Sequence, residues 1–171
     1  MSKTYASAEI RAHWDKVFTE RGHQYGDLPN TWLWAWRDRF KPGLKAAALA
    51  DGYGRNGVFM AECGMAVDSM DLSPVGVEDA KALAAARGVE INAFIQDLSE
   101  WQPEPDSYDV IALIYAHFSS TPDRDYNLRR SIHQACVKAL KPGGLLILEA
   151  FSPEQLNYSS GGPKMPHLLY T

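Results

Sequence analysis

The stretch LADGYGRNG, Leu49 to Gly57, decides how this chain is read. It follows an apolar run, Leu44 to Ala50, and precedes an amphipathic one, Val58 to Cys63. That order predicts a buried strand, a glycine-rich turn and a helix. Glycine has no Cβ and tolerates positive φ, so such a turn lets backbone come within contact distance of a ligand. An acidic residue, Asp71, closes the next apolar segment, Met65 to Met70. The pair marks a loop that binds a nucleotide-like molecule.

The pattern continues in both directions. Downstream, apolar runs at Val89 to Ile95, Tyr108 to Tyr115 and Leu145 to Phe151 read as further strands. Between them, Arg55 to Cys63, the segment opened by Ser73-Pro74 and stopped by Gly88, and Pro122 to Leu140 (capped by Thr121) read as helices. Ser99 to Ser107 is a loop and Lys141-Pro142-Gly143-Gly144 a hard turn. Upstream, Ser7 to Arg21 and Thr31 to Phe40 read as helices joined by turn chemistry at Tyr25 to Asn30.

Strands separated by single helices mean right-handed βαβ units, and hence an α/β fold with a doubly wound parallel sheet. Ligands on such sheets sit beyond the carboxyl ends of the strands. Asp51, Asp71, Asp97 and Tyr115 to His117 fall just after the first four strands, so they share one rim. Asp71, ahead of Leu72-Ser73-Pro74, also suits a helix-capping role, and Asp97 a turn.

At 171 residues, with a net charge of −4 and no basic stripe, the chain reads as one domain that does not bind nucleic acid. Its apolar runs are too short for a membrane span, and its polar start is unlike a signal peptide. Two cysteines, Cys63 and Cys136, read as separate buried thiols in a reducing, cytoplasmic setting, and the five histidines lack metal-ligand spacing.

Two ligand classes fit the glycine turn. Gly52-Tyr53-Gly54-Arg55-Asn56-Gly57 matches G-x-G-x-x-G, so a nicotinamide-dependent oxidoreductase competes, with Gly52, Gly54 and Gly57 on a pyrophosphate. Against it stand the long side chains of Arg55 and Asn56 and a chain short for a dinucleotide site. The later segments point elsewhere. GYGRN, DSMDLSPVGVEDAKALAAARGV, FIQDLSEW, YDVIALIYAHF and ALKPGGLLILEAFSPEQL, in this order, resemble the successive motifs of class I S-adenosylmethionine-dependent methyltransferases. The chain is similar to the group around the tellurite-resistance methyltransferase TehB and the thiopurine methyltransferases.

That resemblance implies a Rossmann-like sheet of order 3-2-1-4-5, without the last two strands such enzymes carry. It implies S-adenosylmethionine as cofactor, S-adenosylhomocysteine as product, and a small-molecule methyl acceptor, a soft nucleophile. Ala50, Gly52, Gly54, Arg55 and Asn56 would cradle the cofactor. Asp71 would accept from the ribose hydroxyls, Leu72 would cover the adenine, and Asp97 with the Leu98 backbone would meet the adenine edge. Tyr115 and Ala116 would line the methionine end. Arg55 suits either the methionine carboxylate or a surface pair. His117 is the candidate for acceptor contact or proton removal.

The chain departs from the family pattern at Ala48 and Ala50, where an acidic residue and a glycine are usual; Asp51 is the candidate to contact the cofactor's amino group instead. Residues 1–43 form an aromatic-rich N-terminal segment in which Trp14 to Asn30, with Tyr25, would make a lid. Trp32 and Trp36 share a helical face expected to be core, whereas Trp34 points outward. Residues 44–151 are the cofactor-binding core. Residues 152–171 form a tail that reads as truncated, leaving an open sheet edge for a second copy, in a homodimer, to cover.

Overall fold

The computed structural model describes residues 3–118 and 128–171. Helices α1 (Lys3–Arg21) and α2 (Thr31–Ala35) come first, and a one-turn 3-10 segment, Arg37–Arg39, follows. The core then runs β1 (Lys45–Leu49), α3 (Arg55–Glu62), β2 (Ala66–Asp71), α4 (Pro74–Arg87), β3 (Asn92–Ile95), β4 (Tyr108–Ile114), α5 (Leu128–Ala139) and β5 (Leu140–Glu149). All five strands are parallel, in the order β3-β2-β1-β4-β5. This is the Rossmann-like arrangement expected from the sequence.

Alternation along the strands divides the core. Ala46 and Ala48 of β1 face Leu33, Met60, Val67 and Val110 on one side of the sheet. Ala47 and Leu49 face Ile111, Leu113, Ile132 and Cys136 on the other. The small β1 side chains let α3 and α5 approach the centre of the sheet from opposite faces. Ile111 and Leu113 are at most 1% exposed, and each such burial contributes roughly 1.5–3 kcal/mol. Winding reverses between β1 and β4, whose ends therefore frame a crevice. Cys63 packs on the first face and Cys136 on the second, and both are free thiols.

Several boundaries differ from expectation, each for a local reason. The second helix stops at Ala35, because the Trp36 N–H bonds to Leu33 O, three residues back. Leu33 is fully buried, and Trp32 is 46% exposed instead of core, packed edge-on against Trp36. Trp34 points outward, as expected. β3 starts at Asn92, not Val89: Gly88 is left-handed (φ 69°) and the Val89 N–H closes the end of α4 on Ala84 O. Lys141 to Gly144 lie within β5 as an irregularity, since Leu140 already pairs with Tyr108 and the ladder resumes at Val110–Leu145. The expected cap at Thr121 and the start of the long helix at Pro122 fall outside the described residues.

Residues after β5 fold back along the rim. Two short 3-10 turns, Pro153–Asn157 and Pro166–Leu168, flank a loop held by Gln155, whose Nε2 donates to Ser160 O (2.7 Å) and Gly161 O (3.0 Å). The Tyr170 N–H then bonds to Phe151 O (2.9 Å), and Leu169 is buried. Among the described residues, no helix is long and apolar enough to cross a membrane.

Candidate functional site

The backbone after β1 makes three left-handed steps: Ala50 (φ 52°), Gly52 (φ 59°) and Gly54 (φ 86°). An L-residue in that region is strained by about 1–2 kcal/mol, so Ala50 holds its place because strand and helix on either side fix it. Gly54 is required as glycine for a second reason: a Cβ there would lie 2.6 Å from the Cβ of Ala80 on α4. This contact sets α3 against α4 and fixes the turn beneath the rim.

The turn's amides are spent on carboxylates. Asp71, 8% exposed at the tip of β2, accepts from Gly52 N on Oδ2 (2.8 Å) and from Ser73 N on Oδ1 (2.9 Å). It therefore ties the glycine turn to the residue ahead of α4, while the helix cap itself is Ser73, whose hydroxyl accepts from Gly76 N (3.1 Å). Burial pushes its carboxyl above the usual carboxylate range, although backbone N–H donors oppose the shift.

Asp51 turns into the loop. Its Oδ2 accepts from Ser69 Oγ (2.8 Å) and Gly57 N (3.0 Å), and its Oδ1 is buried with no hydrogen-bond partner among the described residues. Burial, reinforced by the charge of Asp71 and opposed by those hydrogen bonds, pushes Asp51 up to about 7. These bonds commit Asp51 Oδ2 to the loop itself. Gly57 is packed against the same carboxyl, since a Cβ there would lie 2.5 Å from Asp51 Oδ2.

Asp97 lies beyond β3. It accepts from Ser99 N (2.8 Å) and from the Ser7 hydroxyl, with Arg11 nearby. Burial raises its carboxyl, but these partners outweigh it and hold the group below its ordinary value. Helix α1 thus runs along the strand tips. Ser7 and Arg11 meet Asp97, Asp15 accepts from the Ser73 hydroxyl beside Asp71, and the Phe18 ring sits 3.0 Å from where a Gly52 Cβ would be. Asp71 and Asp97 therefore face the same helix across one shared rim. Leu72 is part-buried between them, and the Leu98 side chain enters the core.

The segment after α1 is fastened to the glycine turn. Tyr53, 3% exposed, stacks on His23 (4.5 Å between centroids) and has its edge to Phe18. Its hydroxyl accepts from Tyr25 N and donates to Gly26 O, both at 3.1 Å. Asn56 Oδ1 accepts from Asn30 N (2.9 Å), while Arg55 donates to Leu28 O (3.2 Å) and lies 5.8 Å from the Tyr25 ring. Sequence reasoning passed over Tyr53 and Asp15; an aromatic between two turn glycines is the one signal that could have singled out Tyr53.

On the β4 and β5 side, Tyr115 is left-handed (φ 54°) and stacks on Phe151 (4.8 Å). Ala116 is buried, with its carbonyl accepting from the Tyr170 hydroxyl (3.2 Å). His117 Nδ1 donates to Leu168 O (2.9 Å), and its Nε2 is 3.5 Å from Phe151 N, so both ring nitrogens meet backbone of the segment after β5. Burial lowers its proton affinity.

A pyrophosphate needs free amides and a positive surround. Here Gly52 N and Gly57 N are bonded to carboxylates, and two buried acidic groups lie beneath the loop. The donor set suits a phosphate-free molecule with a diol, an aromatic amine and a carboxylate, which S-adenosylmethionine carries. The matching family model, a methyltransferase domain, covers residues 47–144. The chain belongs to the methyltransferase-domain family.

The chain resembles several solved structures. A protein assigned as a sarcosine dimethylglycine methyltransferase from Galdieria sulphuraria is 26% identical, with a TM-score of 0.56, 67% of this chain covered and 43% of that one. A SAM-dependent methyltransferase from Aquifex aeolicus is 14% identical with a TM-score of 0.66, covering 92% of this chain and 81% of that one. Magnesium protoporphyrin IX methyltransferase from Synechocystis PCC 6803, solved with bound SAH, is 20% identical with a TM-score of 0.53, covering 64% and 58%. The last two likenesses carry the fold alone. The chain spans about half the length of the first three solved chains it matches: 51%, 43% and 56%. No curated protein matches it. The family's cofactor is S-adenosylmethionine.

Proposed function

We propose that this chain binds S-adenosylmethionine along the strand tips and transfers its methyl group to a small-molecule acceptor. The observation that carries this reading is that Asp71 and Asp97 both lie under α1 at the strand tips, beside a glycine turn in which the Gly52 and Gly57 amides already serve carboxylates. Asp71 would accept from the ribose hydroxyls through its remaining lone pairs, since a carboxylate has about four acceptor sites and two are used. Asp97 and the Leu98 backbone would take the adenine edge. Arg55 would meet the methionine carboxylate, and Ala50, Gly52, Gly54 and Asn56 shape the turn around it. The cofactor supplies an activated methyl on a sulfonium, so the chain's task is to orient the acceptor and exclude water.

Residues 14–30 act as the lid in this reading, anchored by Tyr53 and Asn56. The acceptor is a soft nucleophile such as a thiol, in keeping with the TehB and thiopurine-methyltransferase likeness of the motifs. His117, its nitrogens engaged with backbone, would meet the acceptor through the face of its ring. Calorimetric titration with S-adenosylhomocysteine and with NADH tests the proposal. S-adenosylhomocysteine is expected to bind and NADH to give no heat; binding of NADH alone would refute it.

A further inference from the structure

Glu149 ends β5 beside the end of β4, where the Tyr115 N–H bonds to Glu149 O at 2.7 Å. The same two residues are joined again through their side chains: the Tyr115 hydroxyl donates to Glu149 Oε1 at 2.7 Å. The second carboxylate oxygen, Oε2, is buried and has no hydrogen-bond partner among the described residues. Buried polar atoms are rarely left so, because desolvation is then uncompensated. An aromatic surface adjoins the pair. Phe151 stacks on Tyr115 (4.8 Å) and on His117 (5.6 Å), and Tyr170 meets His117 edge-on (5.9 Å).

The position is on the reactive side of the rim. Arg55, on the glycine turn, is close enough to Tyr115 to favour negative charge on its phenol, while Glu149 acts in the opposite direction. Burial and the adjoining carboxylate push the phenol up to about 12, which keeps it a hydrogen-bond donor at neutral pH. Oε1 is then engaged, and Oε2 is the carboxylate atom without a partner among the described residues. An acceptor-only atom in an aromatic setting selects N–H or O–H donors and favours positive over negative charge.

We infer that Glu149, held by Tyr115, recognises the methyl acceptor through an N–H or O–H donor bonded to Oε2, and that the acceptor is not an oxyanion. This rests on the methyltransferase reading above and narrows its acceptor class. Glu149 is a recognition residue in this assignment, and Tyr115 positions it.

Two size-matched aromatic probes, benzylamine and benzoate, test it by saturation-transfer NMR on the full chain with S-adenosylhomocysteine present. The wild type is expected to bind benzylamine about tenfold more tightly than benzoate, as for a charge-assisted hydrogen bond. Glu149→Gln should remove that preference while S-adenosylhomocysteine affinity stays within about twofold. Tyr115→Phe should weaken benzylamine binding several-fold, because the carboxylate loses the bond that orients it, while benzylamine is still preferred over benzoate because the charge remains. Equal binding of the two probes, no binding of either at millimolar concentration, or an unchanged preference in Glu149→Gln would each overturn the inference. Failure of S-adenosylhomocysteine to bind the wild type would instead refute the proposed function, and the probe comparison is then read without it.

Discussion

Asp15 on α1 accepts a hydrogen bond from the side-chain hydroxyl of Ser73, the residue that caps α4. The Ser73 N–H in turn bonds to Asp71 Oδ1. A helix distant in sequence is thus coupled to the carboxylate proposed to meet the ribose, through one fully buried serine. The contact also places a second carboxylate close enough to raise Asp71.

Asp15→Ala should therefore loosen α1 without dismantling the sheet. The expected loss is about 1–2 kcal/mol of stability, the scale of a hydrogen bond to a charged group. S-adenosylhomocysteine affinity should fall about three- to tenfold as the covering helix loses its tether. Calorimetry at a temperature well below the variant's melting point separates the two effects. Unchanged affinity in this variant, and in one lacking residues 1–29 that still melts cooperatively, would show that the N-terminal segment does not cover the cofactor.

Asp51 gives the protein a pH dependence with a definite sign. Its folded value of about 7 lies above the 3.8 of a free aspartate, so the folded state holds a proton that the unfolded chain releases. Stability from this group is fully present below pH 4, declines as pH rises, and is lost above pH 7. Facing it are Ser69 from β2 and Gly57 from α3, with Asp71 close by; Asp71 shifts in the same direction. Asp51→Asn should flatten the decline and raise stability at pH 8 by on the order of a few kcal/mol. Urea denaturation at pH 5 and pH 8 measures it. An equal pH slope in variant and wild type would mean that the carboxyl ionises as it does in the unfolded chain.

The architecture was legible because each βαβ unit left a local mark. Ser73-Pro74 announced α4, Gly88 ended it, and apolar runs bounded by polar residues gave all five strands. The rim constellation was equally visible, since polar residues just past strand ends fall together once strands are parallel. What the sequence hid was direction. Asp51 looks like Asp71 in the chain, yet one serves the loop interior and the other the shared rim. Glu149 was hidden differently: it reads as an ordinary residue of the last strand, and only the positive φ of Tyr115 swings a phenol onto it. Trp32 was misplaced because a helical face predicts burial only when the helix continues, and α2 ends after five residues.

Gly54 is where the fold tolerates least. Gly54→Ala combines a left-handed backbone (φ 86°) with a Cβ 2.6 Å from Ala80 Cβ and 2.8 Å from Ala80 Cα. Strain alone costs about 1–2 kcal/mol, and overpacking adds about 1–3 kcal/mol. The neighbour is backbone on a helix, so relief requires α4 to move away from α3. Thermal melting should show a loss of that combined size, with α4 displaced. A melting point within a degree or two of wild type would mean that the helices are less tightly fixed than this contact requires.

A network at the opposite end of the sheet provides the control. Asp68 accepts from Tyr108 (2.7 Å) and Asn92 (2.8 Å) and pairs with Lys45 (3.0 Å). Burial raises its carboxyl, but those three partners outweigh burial and bring it below 3.8. The sign is opposite to that of Asp51: the contribution is full above pH 4 and is lost as pH falls through the folded value. Asp68 itself is only 13% exposed, but its Lys45 partner is 45% exposed, and solvent screening of that pair keeps the expected loss in Asp68→Asn to about 1 kcal/mol at pH 7. The loss should shrink below pH 4, where the wild-type group is also neutral. Asp68 lies three residues before Asp71 on β2, and its partners Lys45, Asn92 and Tyr108 each open their strands, so S-adenosylhomocysteine affinity should not change. A variant that lost affinity along with stability would show that cofactor binding responds to the whole sheet, and the losses expected for rim substitutions could not then be read as local contacts.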